Sequence, residues 1–558
     1  MRRVLIAVVA AVVVAGLAVG GWAWWQQSQL RAREQARRQA AAVAQRFLDA
    51  WEEGNLDQLP ALTRAPPDDL AAHHATMRER LQADRLDLEP GEAELNDSSN
   101  LDAGVTVPFQ VRMHLAGLGD WSHRSSLALT RIEDAEQATW RVEWSPAVLH
   151  PSLSDGTALD RSRSWPDRAP ILDRDGQPLS GEGSLGLVVG HTGEVTAELL
   201  VQLGDPYLAG DTVGQRGLQL AFERQLAGSP TGEIRVVRGD EVVEVVHRFE
   251  GERPQPLRTT LDPGIQRTAE LALGSGATSA LVVLDASTSE IRAVVNRPVG
   301  GFNRALTGKY PPGSTFKVVT ATAILRSGVT PSGTVPCPET VTVHGRPFRN
   351  FQGEAFGPIP FREAFYRSCN TAFVQLAADL DEGALQAAAA DYGFNSGWQL
   401  PVGEPAASFP EPGDLAERAA AAIGQARVLV SPVQLASVAA AVAQGKWSAP
   451  TLVSDTRSGV APRDLQDVAA TLTELMREVP RRGTAEGTGL PDGLAGKTGT
   501  AEYGTGDPLP THAWFIGFRS DGDGPQQDLA FAVLVEGGSS GGAVAAPVAA
   551  RFLANLPG

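Results

Sequence analysis

An uncharged run of 22 residues near the N-terminus, Val4 to Trp25, constrains the fold of this chain more than any other feature. A helix of about 20 apolar residues is long enough to span a bilayer. Trp22 and Trp24 lie near its end, where aromatic side chains commonly mark a membrane interface. A cleaved signal peptide is the alternative, but the run is longer than a usual signal core and helix-forming residues follow it directly. We therefore predict an uncleaved membrane anchor over residues 1–25.

The rest of the chain has the composition of several globular domains, with 558 residues in all and 42% hydrophobic content. Its net charge of -17 argues against nucleic acid as a partner. Arginines flank the anchor on both sides, so the positive-inside rule does not settle its orientation. They are Arg2 and Arg3 before the run, and Arg31, Arg33, Arg37 and Arg38 after it.

A predicted N-terminal domain, residues 26–149, begins with helices and ends with strands. Val43, Phe47 and Trp51 recur every four residues, which indicates a helix over 26–54 with an apolar stripe. A second helical stretch and three strand-like runs follow, at 66–84, 103–115, 122–132 and 138–145. Helices followed by a curled antiparallel sheet form a small α+β domain.

Residues 150–258 predict a β-rich domain. It contains a short strand running into a turn over 168–176, a helix that opens within 214–218 and ends near Gly228, and a hairpin within 234–246. The Arg238-Gly239-Asp240 tripeptide lies in this hairpin, where a tight turn explains it without an adhesion partner. Farther upstream, the adjacent pair His73-His74 lies on a predicted helix. Because neighbouring helical residues point apart, we expect an exposed pair and not a metal site.

The last predicted domain, residues 259–558, has strands at both ends and helices between them. This order indicates one antiparallel sheet flanked by helices. A helix from Asp262 and a proline-rich surface loop at 401–413 belong to the same domain. The predicted strands are 280–284, 290–295, 494–501, 512–518 and 529–536, and a flexible loop at 537–542 and a closing helix at 543–556 complete it.

A proline- and glycine-rich turn, Tyr310 to Gly313, precedes an apolar helix that we predict from Ser314 to about Gly328. Ser314 and Lys317 are three residues apart and share one face of its first turn. A buried lysine loses its proton more easily, and the neutral amine can then accept the serine proton. The chain has only four lysines, Lys309, Lys317, Lys446 and Lys497, and arginine supplies its other cations. Since arginine stays protonated, a lysine here is the better candidate for a general base.

Two further motifs contribute another serine hydroxyl and another lysine amine. Ser368-Cys369-Asn370 lies between predicted helices 360–367 and 371–380, where Asn370 is well placed to cap the second helix. Lys497-Thr498-Gly499-Thr500 lies on a predicted strand. Each motif taken singly has a structural explanation, a helix cap or a strand end with a permissive glycine.

The order S-x-x-K, S-x-N and K-T-G resembles that of the penicillin-recognising serine acyltransferases, which comprise penicillin-binding proteins and class A-type β-lactamases. Segment 168–176 resembles the pedestal, or dimerisation region, of class B penicillin-binding proteins. Segment 140–151 resembles the end of the MecA-type N-terminal domain, a nuclear-transport-factor-like cone. Flanking similarities are at 302–305, 423–425, 431–434 and 514–517. The resemblance implies a multidomain α+β protein with an anchor at 1–25, a MecA-type domain at 26–149, a pedestal at 150–258 and a β-lactamase-like transpeptidase domain at 259–558.

The resemblance also implies a role for each site residue. Ser314 would attack the carbonyl between the terminal D-alanines of a peptidoglycan stem peptide, with Lys317 as its base. Ser368 would relay a proton to the leaving amine, and Asn370 would bind the substrate amide and hold Lys317. Lys497 and Thr498 of the K-T-G motif would bind the terminal carboxylate, and Gly499 separates these two residues from Thr500. The N–H groups of Ser314 and Thr500 would receive the oxyanion.

The implied partners are stem peptides, β-lactams and a separate polytopic membrane polymerase, with the catalytic domain outside the cell membrane. No metal or nucleotide is expected, since Gly537 to Gly542 lacks the ending of a phosphate loop. The alternatives are a D,D-carboxypeptidase, a β-lactamase, or an idle β-lactam sensor or scaffold. Cys337 and Cys369 are compatible with one disulfide in an extracytoplasmic domain, but the sequence leaves their pairing open.

Overall fold

The first 51 described residues form one continuous helix, α1 (Arg2–Glu52). The predicted anchor and the following helix are therefore a single element, because no helix-breaking residue separates them. One stretch of α1 is long and apolar enough to cross a membrane, and that stretch is fully exposed. The computed structural model describes residues 2–133, 138–456, 458–506, 509–519 and 528–556, so Met1 of the predicted anchor lies outside the described residues.

The contacts divide the chain into two units. The first comprises 1–167, 194–211 and 227–254, and the second comprises 168–193, 212–226 and 255–558. The predicted pedestal, residues 150–258, therefore contributes segments to both units.

The first unit packs α1 and α2 against an antiparallel sheet whose strand order is β1-β2-β3-β4. Alternate side chains of β2 are buried, and Phe109 meets Trp51 of α1 edge-on. A second sheet has the order β7-β6-β5, and Arg238 pairs with Glu241 across the predicted hairpin turn. The elements are α2 (Leu70–Leu81), β1 (Ala83–Pro90), β2 (Val105–Leu115), β3 (Gly119–Glu133), β4 (Ala138–Glu143), β5 (Ala158–Ser164), β6 (Thr231–Arg238) and β7 (Glu241–Phe249), with short helices Leu59–Leu62 and Ala197–Leu203.

Two predictions for this unit are wrong. The second helix, predicted over 66–84, ends at Leu81 because Gln82 adopts a left-handed conformation, and strand β1 follows directly. His74 is not exposed: it is 1% exposed, and its ring packs edge-on against Trp51. Its Nε2 accepts a hydrogen bond from Trp144. Among the described residues there is no cluster of three or more potential metal ligands.

The second unit is built on the five-stranded antiparallel sheet that the sequence predicted, and its strand order is β9-β8-β14-β13-β12. Every residue of β8 and β14 is buried, because helices cover the sheet. The helix Pro432–Gln444 packs on β8, β13 and β14, while the helix Pro263–Leu273 packs on β9 and on the closing helix Ala546–Ala554. The strands are β8 (Ser279–Asp285), β9 (Ile291–Arg297), β10 (Thr340–Val343), β11 (Arg346–Arg349), β12 (Ala495–Glu502), β13 (Thr511–Arg519) and β14 (Leu529–Val535).

Helices connect the strands of this unit, and two of them begin with the site residues Lys317 and Asn370. The helices are α3 (Pro263–Leu273), α4 (Lys317–Arg326), α5 (Phe361–Tyr366), α6 (Asn370–Ala378), α7 (Ala384–Asp391), α8 (Leu415–Ala422), α9 (Pro432–Gln444), α10 (Gln466–Arg482) and α11 (Ala546–Ala554). The hairpin of β10 and β11 was not predicted. Gly541, placed in a flexible loop by the sequence, is buried and begins a helical turn over Gly541–Ala545.

Candidate active site

Ser314 lies on a tight helical turn, Gly313–Phe316, that leads directly into the buried helix α4. The turn is held from two sides. Gly313 has φ of +53° and donates its N–H to Gly424 O at 3.0 Å. A Cβ at Gly313 would lie 2.5 Å from Thr500 O, so only glycine allows this approach. Ser314 is half-buried and opens onto a groove of about 870 Å³.

The amine of Lys317 is fully buried and has three hydrogen-bond acceptors. Its Nζ donates to Ser368 O at 2.6 Å, to Ser368 Oγ at 3.2 Å and to Asn370 Oδ1 at 2.6 Å. These acceptors use all three N–H bonds of an ammonium group. Within the described residues, Lys317 makes no hydrogen bond to Ser314, although both side chains belong to one turn.

Lys497 is also fully buried, and it approaches Ser368 from strand β12. Its Nζ donates to Ser368 Oγ at 3.0 Å and to Thr498 O at 3.1 Å. The hydroxyl of Ser368 therefore lies between two amines. In the described part of the chain, no carboxylate forms an ion pair with either lysine.

Burial and the neighbouring Lys497, and not the three acceptors, favour the neutral form of the Lys317 amine. Burial lowers the pKa of Lys317 well below its ordinary value, and the charge of Lys497 lowers it further. Burial lowers the pKa of Lys497 to about 7. A neutral amine has a free lone pair, so Lys317 can accept a proton near neutral pH.

Asn370 does not cap helix α6, which was the structural alternative for its motif. The N-cap is Cys369, and Asn370 is the first residue of the helix. The side chain of Asn370 instead accepts from Lys317 and donates through Nδ2 to Arg349 O at 3.0 Å. Ser368, two residues earlier, has φ of +59°, in the left-handed region.

The K-T-G motif lies on β12, an edge strand that pairs with β13 through Lys497–Ile516 and Gly499–Trp514. Thr498 and Thr500 line the groove with Ser314, Ser368 and Asn370. A Cβ at Gly499 would lie 2.8 Å from Thr315 Cγ2 and 3.0 Å from Pro312 O. Gly499 therefore allows β12 to pack closely on the Ser314 turn.

Three features of the site were not predicted as parts of it. Thr484 shares a hydroxyl–hydroxyl hydrogen bond with Thr498 and lines the groove. Gly424 leaves no room for a side chain, since a Cβ there would lie 2.0 Å from Gly313 O. Cys337 and Cys369 form a disulfide, which places a covalent link inside the Ser368-Cys369-Asn370 motif. Of these three features, the sequence gave a signal for two. Gly424 lies in the segment 423–425 that resembles the family, and the even number of cysteines is compatible with a disulfide.

Comparisons with known proteins agree with this architecture. The family described as penicillin binding protein transpeptidase domain matches residues 279–554, and the family described as NTF2-like N-terminal transpeptidase domain, MecA_N, matches residues 39–157. Peptidoglycan D,D-transpeptidase PbpA of Mycolicibacterium smegmatis is 34% identical over 359 residues, covering 53% of this chain and 71% of that protein.

Two solved structures show the similarity in three dimensions. Pseudomonas aeruginosa PBP2 in complex with WCK 5153 is 26% identical with a TM-score of 0.59, covering 71% of this chain and 96% of that one. The penicillin G acyl-enzyme complex of penicillin-binding protein A from M. tuberculosis is 27% identical with a TM-score of 0.52, covering 70% and 99%. The chain belongs to the penicillin-binding protein transpeptidases, and it carries an NTF2-like N-terminal domain of the MecA type.

Proposed function

We propose that this protein is a serine D,D-transpeptidase that cross-links peptidoglycan stem peptides through an acyl-enzyme on Ser314. The observation that carries the proposal is the buried Lys317 amine, held by Ser368 and Asn370 beside the second buried amine of Lys497. Ser368 and Asn370 of that set line the groove onto which Ser314 opens.

The reaction begins with the hydroxyl of Ser314. Neutral Lys317 accepts its proton while Oγ attacks the carbonyl between the two terminal D-alanines. The N–H groups of Ser314 and Thr500 receive the oxyanion. Thr500 belongs to an edge strand, where alternate N–H groups point away from the neighbouring strand and are free to bind a ligand.

Collapse of the intermediate breaks the C–N bond and releases D-alanine. Ser368, between Lys317 and Lys497, relays the proton from Lys317 to the leaving amine. Lys497 and Thr498 bind the terminal carboxylate of the donor, with Thr484 orienting the Thr498 hydroxyl. An amine of a second stem peptide then attacks the carbonyl of the acyl-enzyme. The ester bond to Ser314 breaks, the amine proton returns to Ser314 Oγ, and the new amide bond is the cross-link. β-Lactams acylate Ser314 in place of the donor.

The chain is anchored by α1 with the transpeptidase domain outside the cell membrane. The exposed apolar stretch of α1 supports the anchor, and the Cys337–Cys369 disulfide supports the location, because disulfides persist in oxidising compartments. We keep the division into anchor, MecA-type domain, pedestal and transpeptidase domain at 1–25, 26–149, 150–258 and 259–558. The partner that we infer for the supply of glycan strands is a separate polytopic membrane polymerase.

Labelling with a fluorescent penicillin tests the proposal. The purified full chain in detergent should form a stable covalent adduct that Ser314→Ala and Lys317→Ala abolish. Ser437→Ala, which alters a buried serine of α9, is the matched control and should keep the adduct. Absence of an adduct in the wild type would contradict the proposal, and rapid loss of label would indicate a β-lactamase.

The acceptor is tested separately with a D-alanyl-D-alanine-mimicking thioester and an added D-amino acid. Mass spectrometry should detect the amide formed with the added amine. Exclusive release of the free acid would indicate a carboxypeptidase. An unreactive thioester together with a labelled Ser314 would indicate a β-lactam sensor.

A further inference from the structure

Asn350 is a buried polar residue that joins the end of β11 to helix α6, which begins at the end of the Ser368-Cys369-Asn370 motif. It is 3% exposed. Its two Nδ2 hydrogens go to Pro338 O at 2.8 Å and Glu354 O at 2.9 Å. These bonds tie together both ends of the segment that contains the β10–β11 hairpin. The segment lines one side of the groove.

The same segment holds helix α6 at its first two residues. Thr371 donates its N–H to Asn350 Oδ1 at 3.0 Å and its hydroxyl to Pro338 O at 2.7 Å. Asn370 donates through Nδ2 to Arg349 O at 3.0 Å. Three hydrogen bonds from consecutive residues of α6 therefore end on one segment.

The disulfide adds a covalent link at the same place. Cys369 lies between Ser368 and Asn370, and its partner Cys337 immediately precedes Pro338. Both sulfur atoms are buried, at 0% and 1% residue exposure. Ser368 and Asn370 are thus fixed from a segment that contributes no reacting group in the proposed mechanism.

We propose that the Cys337–Cys369 disulfide and the Asn350–Thr371 pair are positioning elements for Ser368 and Asn370 in the transpeptidase reaction. The inference rests on the proposed function. None of the four residues touches substrate in the mechanism; they act through the carbonyl and hydroxyl of Ser368 and the amide oxygen of Asn370, which are the acceptors of the Lys317 amine.

The need for such positioning follows from the backbone at Ser368. Its left-handed φ of +59° is unfavourable for a residue with a side chain, so surrounding contacts must impose it. Without the tether, Ser368 can relax to an ordinary conformation and withdraw both of its acceptors from Lys317. A displacement of about 1 Å in a catalytic group is enough to lower a rate about 10²-fold.

Two sets of variants test the inference in the purified full chain. Cys337→Ala/Cys369→Ala removes the covalent link without adding volume. Thr371→Val removes the hydroxyl and keeps the shape of a fully buried side chain, while Thr371→Ser restores the hydroxyl. Thr260→Val is the control, because Thr260 is buried in the same unit and donates to Ile291 O, away from the groove.

The measurements are the rate of acylation by a fluorescent penicillin as a function of pH, and thermal unfolding of each variant. We expect about 10²-fold slower acylation in the double cysteine variant and about tenfold slower acylation in Thr371→Val. In both, the acidic limb of the pH profile should be displaced, because the acceptors of Lys317 have moved. Thr371→Ser should resemble the wild type, and Thr260→Val should lose thermal stability only.

Several results would overturn the inference. One is a wild-type pH profile and rate in both the double cysteine variant and Thr371→Val. Another is two free thiols in the denatured wild-type chain. If the double cysteine variant does not fold, the comparison of Thr371→Val with Thr371→Ser tests the inference by itself. Failure of the wild type itself to become acylated would reject the proposed function, which separates the two failures.

Discussion

Lys317 and Lys497 donate to the same oxygen atom, Oγ of Ser368, at 3.2 and 3.0 Å. They come from helix α4 and strand β12 and are both fully buried. Two ammonium groups in one buried site repel each other, so protonation of one opposes protonation of the other. The proposed mechanism needs them in different states, with Lys317 neutral and Lys497 charged.

The first prediction is a bell-shaped pH dependence of acylation. The rate should rise with pH while Lys317, whose pKa lies well below its usual value, loses its proton. It should fall above about pH 7 as Lys497 loses the charge that binds the donor carboxylate. The measurement is the second-order rate constant for acylation by a fluorescent penicillin from pH 5 to 10. A rate that keeps rising to the alkaline end would contradict the assignment of Lys497.

Lys497→Met should change both limbs of that profile. Removal of the Lys497 charge raises the pKa of Lys317, so the acidic limb should move to higher pH. The alkaline limb should disappear with the amine that causes it. Thr498→Val weakens carboxylate binding without changing charge, so it should lower the rate and leave both limbs in place. An unmoved acidic limb in Lys497→Met would show that the two amines are not coupled.

Gly424→Ala should slow acylation strongly although Gly424 carries no reacting group. A methyl group there would lie 2.0 Å from the backbone oxygen of Gly313 and would displace the Ser314 turn. We expect a rate about 10²-fold lower. Gly383→Ala is the control, because Gly383 has φ of +80° but no atom near the position of a Cβ. The control should lose only about 1–2 kcal/mol of unfolding free energy and keep its acylation rate. Equal effects of the two changes would contradict the close approach.

The first unit should lose stability in mild acid because of His74. Burial, with a smaller contribution from the neighbouring His73, lowers the pKa of His74 to about 3. The unfolded chain therefore binds more protons than the folded unit between about pH 6.5 and 3, so the free energy of unfolding falls as the pH falls through this range. A single such group costs about 2 kcal/mol between pH 6.5 and 5.

Hydrogen exchange of a peptide covering β2, compared at pH 7 and pH 5 after correction for the intrinsic rate, measures this loss. His74→Phe keeps an aromatic ring against Trp51 and should reduce the loss of protection at pH 5. His73→Gln changes the exposed neighbour and should not. An equal loss in the wild type and His74→Phe would assign acid sensitivity to other groups, such as His123, whose pKa burial lowers to about 4.

Local patterns in the sequence were enough to predict the five strands of the second sheet, the buried helix after Ser314 and the three motifs in their order. Short apolar runs, helix punctuation and motif spacing all extend over a few residues, so they can be recognised without knowing what packs against them. The motifs named the groove residues Ser314, Ser368, Asn370 and Thr498 and the two buried lysines.

Tertiary structure decided how those residues are used. Asn370 had the sequence of a helix cap, yet its side chain turns to Lys317, which lies 53 residues away in the chain. Gly499 looked permissive, but the approach of Thr315 makes it necessary. His74 is buried because α2 packs against the Trp51 face of α1. Each outcome depends on contacts between distant segments, and such contacts exist only after the chain has folded.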